Sequence, residues 1–103
     1  MASDDLRFGL SRRIREDLSG IFARYPEIER VLLFGSRAGE TFKDGSDIDL
    51  AVVAPTMTGQ RFSQLWGDID ALSILFKIDL LHWDRLTDEP LEEKILTRGH
   101  RFF

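Results

Sequence analysis

Three aspartates and one Gly-Ser pair are the residues of this chain best suited to chemistry. Asp47 and Asp49 stand two apart in "GSDIDLAVV", Asp79 interrupts the apolar run "FKIDLLHW", and Gly35-Ser36 follows the run "VLLF". Side chains two apart on a strand point to the same side, about 6.6–6.8 Å apart along the backbone. Asp47 and Asp49 therefore project together, while Ile48 and Leu50 face the other way, into a core. If the strands bearing these residues are adjacent, Asp79 joins the pair. Three carboxylates held so close repel one another, which raises their pKa values unless a cation is present. Hard divalent cations with oxygen ligands relieve that repulsion, and Mg²⁺ keeps waters and substrate phosphates in its shell. Two such ions about 3.5–4 Å apart can clamp the attacking and leaving oxygens of an in-line phosphoryl displacement. Taken singly, each aspartate could equally be structural, as a strand-start cap or, for Asp79, as the partner of Lys77. Taken together on two apolar strands, they favour a metal site.

The Gly-Ser pair suits an anion. A glycine leaving a strand lets backbone N–H groups approach closely, and a following helical turn points its N-terminus at the same place. Ser36 adds a hydroxyl and Arg37 a cation that matches phosphate oxygens. Gly-Ser alone occurs in many ordinary turns, but here ten residues separate it from Asp47-x-Asp49. With each of four fixed positions met by chance at about 7%, that pattern arises in only about a few chains per thousand of this length.

The elements that must position these residues can be read from periodicity. Leu6, Leu10, Ile14, Leu18, Phe22 and Tyr25 recur every three or four residues, which predicts a helix capped by Ser3, with Asp4 and Asp5 in its first turn, and ended by Pro26. Gly9 and Gly20 each weaken it by about 1 kcal/mol against Ala. Val31 to Phe34 is a short buried strand stopped by Gly35. Residues 36 to 46 are turn-rich, with one helical turn after Ser36. Ile48, Leu50 and Val52 alternate with their neighbours as a second strand. Phe62, Leu65, Trp66, Ile69 and Leu72 mark a second long helix, and residues 76 to 83 a third strand. Thr87 or Asp88 caps a last helix with Pro90 in its first turn and Gly99 at its end. The expected order is α-β-(short α)-β-α-β-α: an α/β domain spanning residues 1–103, in which about four helices flank a small three-stranded sheet.

Composition narrows the class. A chain of 103 residues, 43% hydrophobic and 31% charged, can bury one modest core. Its net charge of −4 argues against non-specific nucleic-acid binding, which depends on Lys and Arg neutralising phosphates. The basic groups at Arg12, Arg13 and Arg15 and at Arg98, His100 and Arg101 read as solvated helix faces. The absence of cysteine excludes disulfides and thiolate metal sites. No apolar run reaches membrane-spanning length and no export signal opens the sequence, so the cytosol is the expected compartment.

"FGSRAGETFKDGSDIDL" resembles the signature of the minimal nucleotidyltransferases of the DNA polymerase β superfamily, departing from it at Gly39-Glu40, where many members read Arg-Gly. "KIDLLHWDRL" is similar to the segment that bears the family's third carboxylate, and "ILTRGHRFF" to the family's closing segment, so the likeness spans roughly residues 25 to 103. The resemblance implies a nucleotidyltransferase fold with a mixed sheet. It also implies that Asp47, Asp49 and Asp79 ligate two Mg²⁺ ions, with Asp79 helping to deprotonate the incoming hydroxyl. Gly35 and Ser36 would contact the β- and γ-phosphates of ATP, and Arg37 would neutralise developing charge or form a structural salt bridge. The reaction implied is transfer of NMP, most often AMP, to a hydroxyl. Stand-alone chains of this kind resemble antitoxins that adenylylate a tyrosine of a helical HEPN toxin encoded by a neighbouring gene. Self-association into a homodimer is left open.

Two other readings carry discriminating observations. A catalytically inert module acting by docking would tolerate loss of the aspartates. A small-molecule, aminoglycoside-type nucleotidyltransferase needs an acceptor pocket that this length hardly supplies. His82 and His100 are too isolated to form a metal pair and read as structural or exposed. Trp66 falls in the helix core stripe. Trp83 shares the parity of Asp79 and is a candidate for the nucleotide pocket. Phe102-Phe103 reads as an extra strand or part of an interface.

Overall fold

The computed structural model describes residues 9–39, 47–72 and 77–103. Helix α1 (Arg12–Phe22) leads into strand β1 (Arg30–Phe34), which ends in a 3₁₀ turn at Gly35–Ala38. Strand β2 (Ile48–Val53), helix α2 (Gly59–Asp70) and strand β3 (Ile78–His82) follow. A second 3₁₀ turn (Trp83–Arg85), helix α3 (Glu89–Arg98) and strand β4 (His100–Arg101) complete the described order. The α/β class and the mixed sheet are as expected, but two counts differ. The sheet has four strands, in the order β3-β2-β1-β4, and three α-helices are described. The helical turn expected after Ser36 is the 3₁₀ turn that begins at Gly35.

The fourth strand exists because the chain past Gly99 folds back on β1. Leu32 faces Arg101 and Leu33 faces His100 in antiparallel register. Val31 N–H donates to the Phe103 carbonyl at 3.0 Å, and Phe102 N–H to the Val31 carbonyl at 2.8 Å. The rings of Phe102 and Phe103 lie against Phe22, at 6.3 and 5.7 Å between centroids, so this aromatic pair closes the core.

The first helix begins later than its apolar spacing predicts. Gly9 has a φ of +73°, in the left-handed region, and Ser11 caps the helix, its Oγ accepting from Ile14 N–H at 3.3 Å. The expected cap at Ser3, with Asp4, Asp5 and Leu6, lies outside the described residues. Thr58 caps α2, and of the two candidates for α3 it is Asp88 that accepts from Leu91 N–H.

Helices α1 and α2 bury Leu18, Phe22, Leu65 and Ile69 in one core with Val31, Leu33, Ile48, Leu50, Val52 and Leu80 of the strands. This is the alternation expected of β2, with Ile48 and Leu50 turned inward. β1 and β2 run antiparallel, whereas β2 and β3 run parallel, joined by the crossover through α2. At the end of β2 remote from the aspartates, Ala54 is held twice. Its N–H donates to Asp84 at 2.7 Å, and its carbonyl accepts from His82 Nε2 at 3.0 Å. His82 is buried and stacks on Phe62, which is the structural role expected of it. No described helix is long and apolar enough to cross a membrane.

A polar clasp ties the segment after α1 to α2. Tyr25 donates its hydroxyl to Asp68 at 2.5 Å, and burial together with that carboxylate pushes the phenol up to about 12. Arg61 forks onto Glu27 at 2.7 and 3.0 Å and lies 4.6 Å above the Tyr25 ring. The guanidinium holds the Glu27 carboxyl down to about 2, against an ordinary 4.5. A depressed acid contributes stability that is full above the ordinary value and lost as pH falls through the folded one. Glu27→Gln is therefore expected to melt below wild type at pH 7, with the gap closing between about 4.5 and about 2. Thermal melts of both proteins across that window check it.

Candidate active site

Register brings the acidic residues together. In the parallel β2–β3 pair Asp49 lies directly opposite Asp79, and in the antiparallel β1–β2 pair it lies opposite Phe34. The turn that leaves β1 at Gly35 is thereby set beside Asp49. Gly35 has a φ of +77°, and a Cβ built there would overlap Asp49 Oδ2 and stand 3.2 Å from its Cγ. Only glycine permits this approach of backbone to carboxylate. Asp47 immediately precedes β2 and is exposed, Asp49 is half-buried, and the Asp79 side chain is 44% exposed.

Electrostatics report the same proximity. Asp49 is held above the ordinary carboxylate range, first by burial, then by Asp79 and Asp47, with Lys77 opposing. Lys77 Nζ lies 3.9 Å from Asp79 Oδ1, so the Lys77–Asp79 pair weighed as a structural alternative does form. With both side chains substantially exposed, such a pair is weak and readily displaced. Among the described residues no group of three acidic or histidine side chains is placed so that it could hold a metal ion. The donor chemistry nevertheless suits a hard divalent cation: three carboxylates lie near one another, and Asp49 is raised by burial first and then by Asp79 and Asp47.

The remaining candidates fall differently. Ser36 is the second residue of the 3₁₀ turn, and the hydroxyl role expected of it lies outside the described side chains. Arg37 is only 2% exposed, so its charge acts from within the protein and not as a solvent-facing contact. Trp83 follows β3 at the end opposite Asp79. Trp66 lies beside the site. With Ile69, Leu72 and Ile78 it lines a cleft of about 320 Å³ that Lys77 and Asp79 border. Its spacing of four from Phe62 marks the helix stripe, but not that it sits at the edge of that stripe.

Comparison with known proteins bears on the fold and the family. In fold the chain is similar to a toxin–antitoxin complex crystallised with AMP-PNP, at a TM-score of 0.69 and 22% identity over 86% of this chain and 72% of that one. It is also similar to a tri-AMPylated Shewanella oneidensis HEPN toxin in complex with its MNT antitoxin (TM-score 0.61, 22% identity, 86% and 68% covered). The toxin–antitoxin MntA-HepT gives a TM-score of 0.59 at 19% identity, with 90% and 72% covered. Comparison with curated proteins gives no sequence match. Residues 16–103 match the family described as polymerase beta, nucleotidyltransferase. With that match over most of its length and the fold these complexes share, the chain belongs to the polymerase β nucleotidyltransferase family and is a nucleotidyltransferase.

Proposed function

We propose that this chain transfers AMP from ATP to a hydroxyl of a protein partner, a tyrosine of a HEPN-type toxin, and so acts as an antitoxin. The observation that carries the reading is Asp49 facing Asp79 across β2–β3 with Gly35 pressed against it. Support for the partner comes from the neighbours, one holding AMP-PNP and one an AMPylated HEPN toxin. Residues 1–103 are read as one nucleotidyltransferase domain. The reaction belongs in the cytosol.

Asp47, Asp49 and Asp79 would hold Mg²⁺, which when bound supplies positive charge to the phosphates and to the attacking oxygen. Gly35 and Ser36 meet the β- and γ-phosphates through the turn, and Arg37 adds positive potential from inside. The acceptor oxygen forms its bond to the α-phosphorus, the bond from that phosphorus to the bridging oxygen breaks, and pyrophosphate leaves. Asp79, the partly exposed carboxylate, receives the hydroxyl proton.

Co-purification with the product of the neighbouring gene, followed by intact mass with and without ATP and Mg²⁺, tests this. A gain of one or more AMP units on the partner is the expected result. No gain with any nucleoside triphosphate, while the partner stays neutralised, would replace transfer with docking.

A further inference from the structure

The 3₁₀ turn that follows β1 is too short to hold itself. Ala38 is its last residue, and the carbonyls at a helix end have no partner inside the helix. His100 Nε2 lies 3.0 Å from the Ala38 carbonyl, across 62 positions of sequence. A carbonyl oxygen only accepts, so Nε2 carries the proton and donates. His100 opens β4, faces Leu33 in register and directly follows Gly99, whose N–H caps α3 on Ile95. The far end of the turn is thus tied to the junction of α3 and β4. Together with Gly35 against Asp49 and the buried Arg37, this gives the turn three anchors: one at each end and one within.

We propose that His100 is a positioning residue for nucleotide binding. It fixes the Ala38 carbonyl and so holds the Gly35–Ala38 backbone in the shape that meets the triphosphate. The inference rests on reading that turn as the phosphate-binding element. Because His100 is exposed, little apolar burial depends on it, and its worth lies in geometry.

His100→Ala and His100→Gln in the full chain, in complex with the partner, provide the test. A hydrogen bond of this kind is worth about 0.5–1.5 kcal/mol, or roughly 2- to 12-fold. His100→Ala is expected to speed amide exchange at residues 35–39 by that factor, with exchange in β3 unchanged. It should raise the KM for ATP to a similar extent at constant kcat, as loss of uniform binding does. The glutamine variant, which can still donate, should recover both. Wild-type exchange and KM in His100→Ala, or a lowered melting temperature with neither altered, would overturn the proposal. The exchange measurement needs no nucleotide. If the wild type transferred nothing yet exchange still responded, the functional reading would fail and the tie would stand.

Discussion

Replacing Gly35 with alanine is expected to cost about 10²-fold or more in nucleotidyl transfer, with only a moderate loss of stability. Two separate penalties meet at this position. A side chain at a φ of +77° pays roughly 1–2 kcal/mol for left-handed backbone. The new Cβ would also overlap Asp49 Oδ2, with Asp49 Cγ and Cβ at 3.2 and 3.4 Å. The carboxylate stem is short and rooted in β2, so relief requires either the turn or Asp49 to move. Misplacement of a reacting arrangement by about 1 Å is enough for about a 10²-fold loss. Gly67→Ala is the control: it lies within α2 with no atom within 4 Å of the added methyl, and should gain roughly 0.5–1 kcal/mol at full activity. Urea midpoints and initial transfer rates of the two variants separate the effects. Wild-type transfer by Gly35→Ala would mean that the turn need not approach Asp49.

Much of this site could be read from the chain because its determinants are local. Asp47-x-Asp49 shares a face by strand geometry alone, and Ile48 and Leu50 mark the opposite face by their apolar character. That Asp79 lies opposite Asp49 depended on which strands are neighbours. The long helical pattern between β2 and β3 suits a parallel crossover, and residues so connected usually pair. The features that escaped are those set by distant contacts. Phe102-Phe103 suggests an extra strand, but β4 lies just before them at His100–Arg101, two polar residues with no alternation to show; it exists because Val31 offers backbone groups and Phe22 an apolar surface. The start of α1 is decided by Gly9 and Ser11, against an apolar spacing that runs on through both. Trp83 keeps the strand parity of Asp79, but the strand ends at His82, so parity carries no information there. An isolated histidine such as His100 has no pattern to read: its partner is a backbone carbonyl in another part of the chain.

Asp49→Asn is expected to make the protein more stable at neutral pH while removing its activity. Asp49 is an acid whose folded pKa lies above its ordinary value, because of burial first and then Asp79 and Asp47. For such a group, stability is full at low pH and lost as pH rises through the ordinary carboxylate range toward the folded value. At pH 7 the ionised carboxylate therefore opposes folding, and the neutral amide removes that opposition at nearly constant shape. The melting temperature of Asp49→Asn should exceed wild type at pH 7, with the advantage vanishing below the ordinary carboxylate range. Transfer should fall by about 10²–10³-fold, the scale for removing one preorganised charge-stabilising group, and Asp47→Asn with Asp49→Asn should abolish it. Mg²⁺ supplies the discriminating measurement, since a cation that binds only the folded state raises stability by RT ln(1 + c/Kd), where c is the free Mg²⁺ concentration. Wild type should gain melting temperature as Mg²⁺ is added, and Asp49→Asn should gain far less. If Asp49→Asn melted lower at pH 7 and answered Mg²⁺ as wild type does, the repulsion would have no functional counterpart and the carboxylates would be a structural feature of the strand ends. The opposite pair of results would identify Asp49 as a residue kept at a cost to the fold because its charge is needed when the cation and nucleotide arrive.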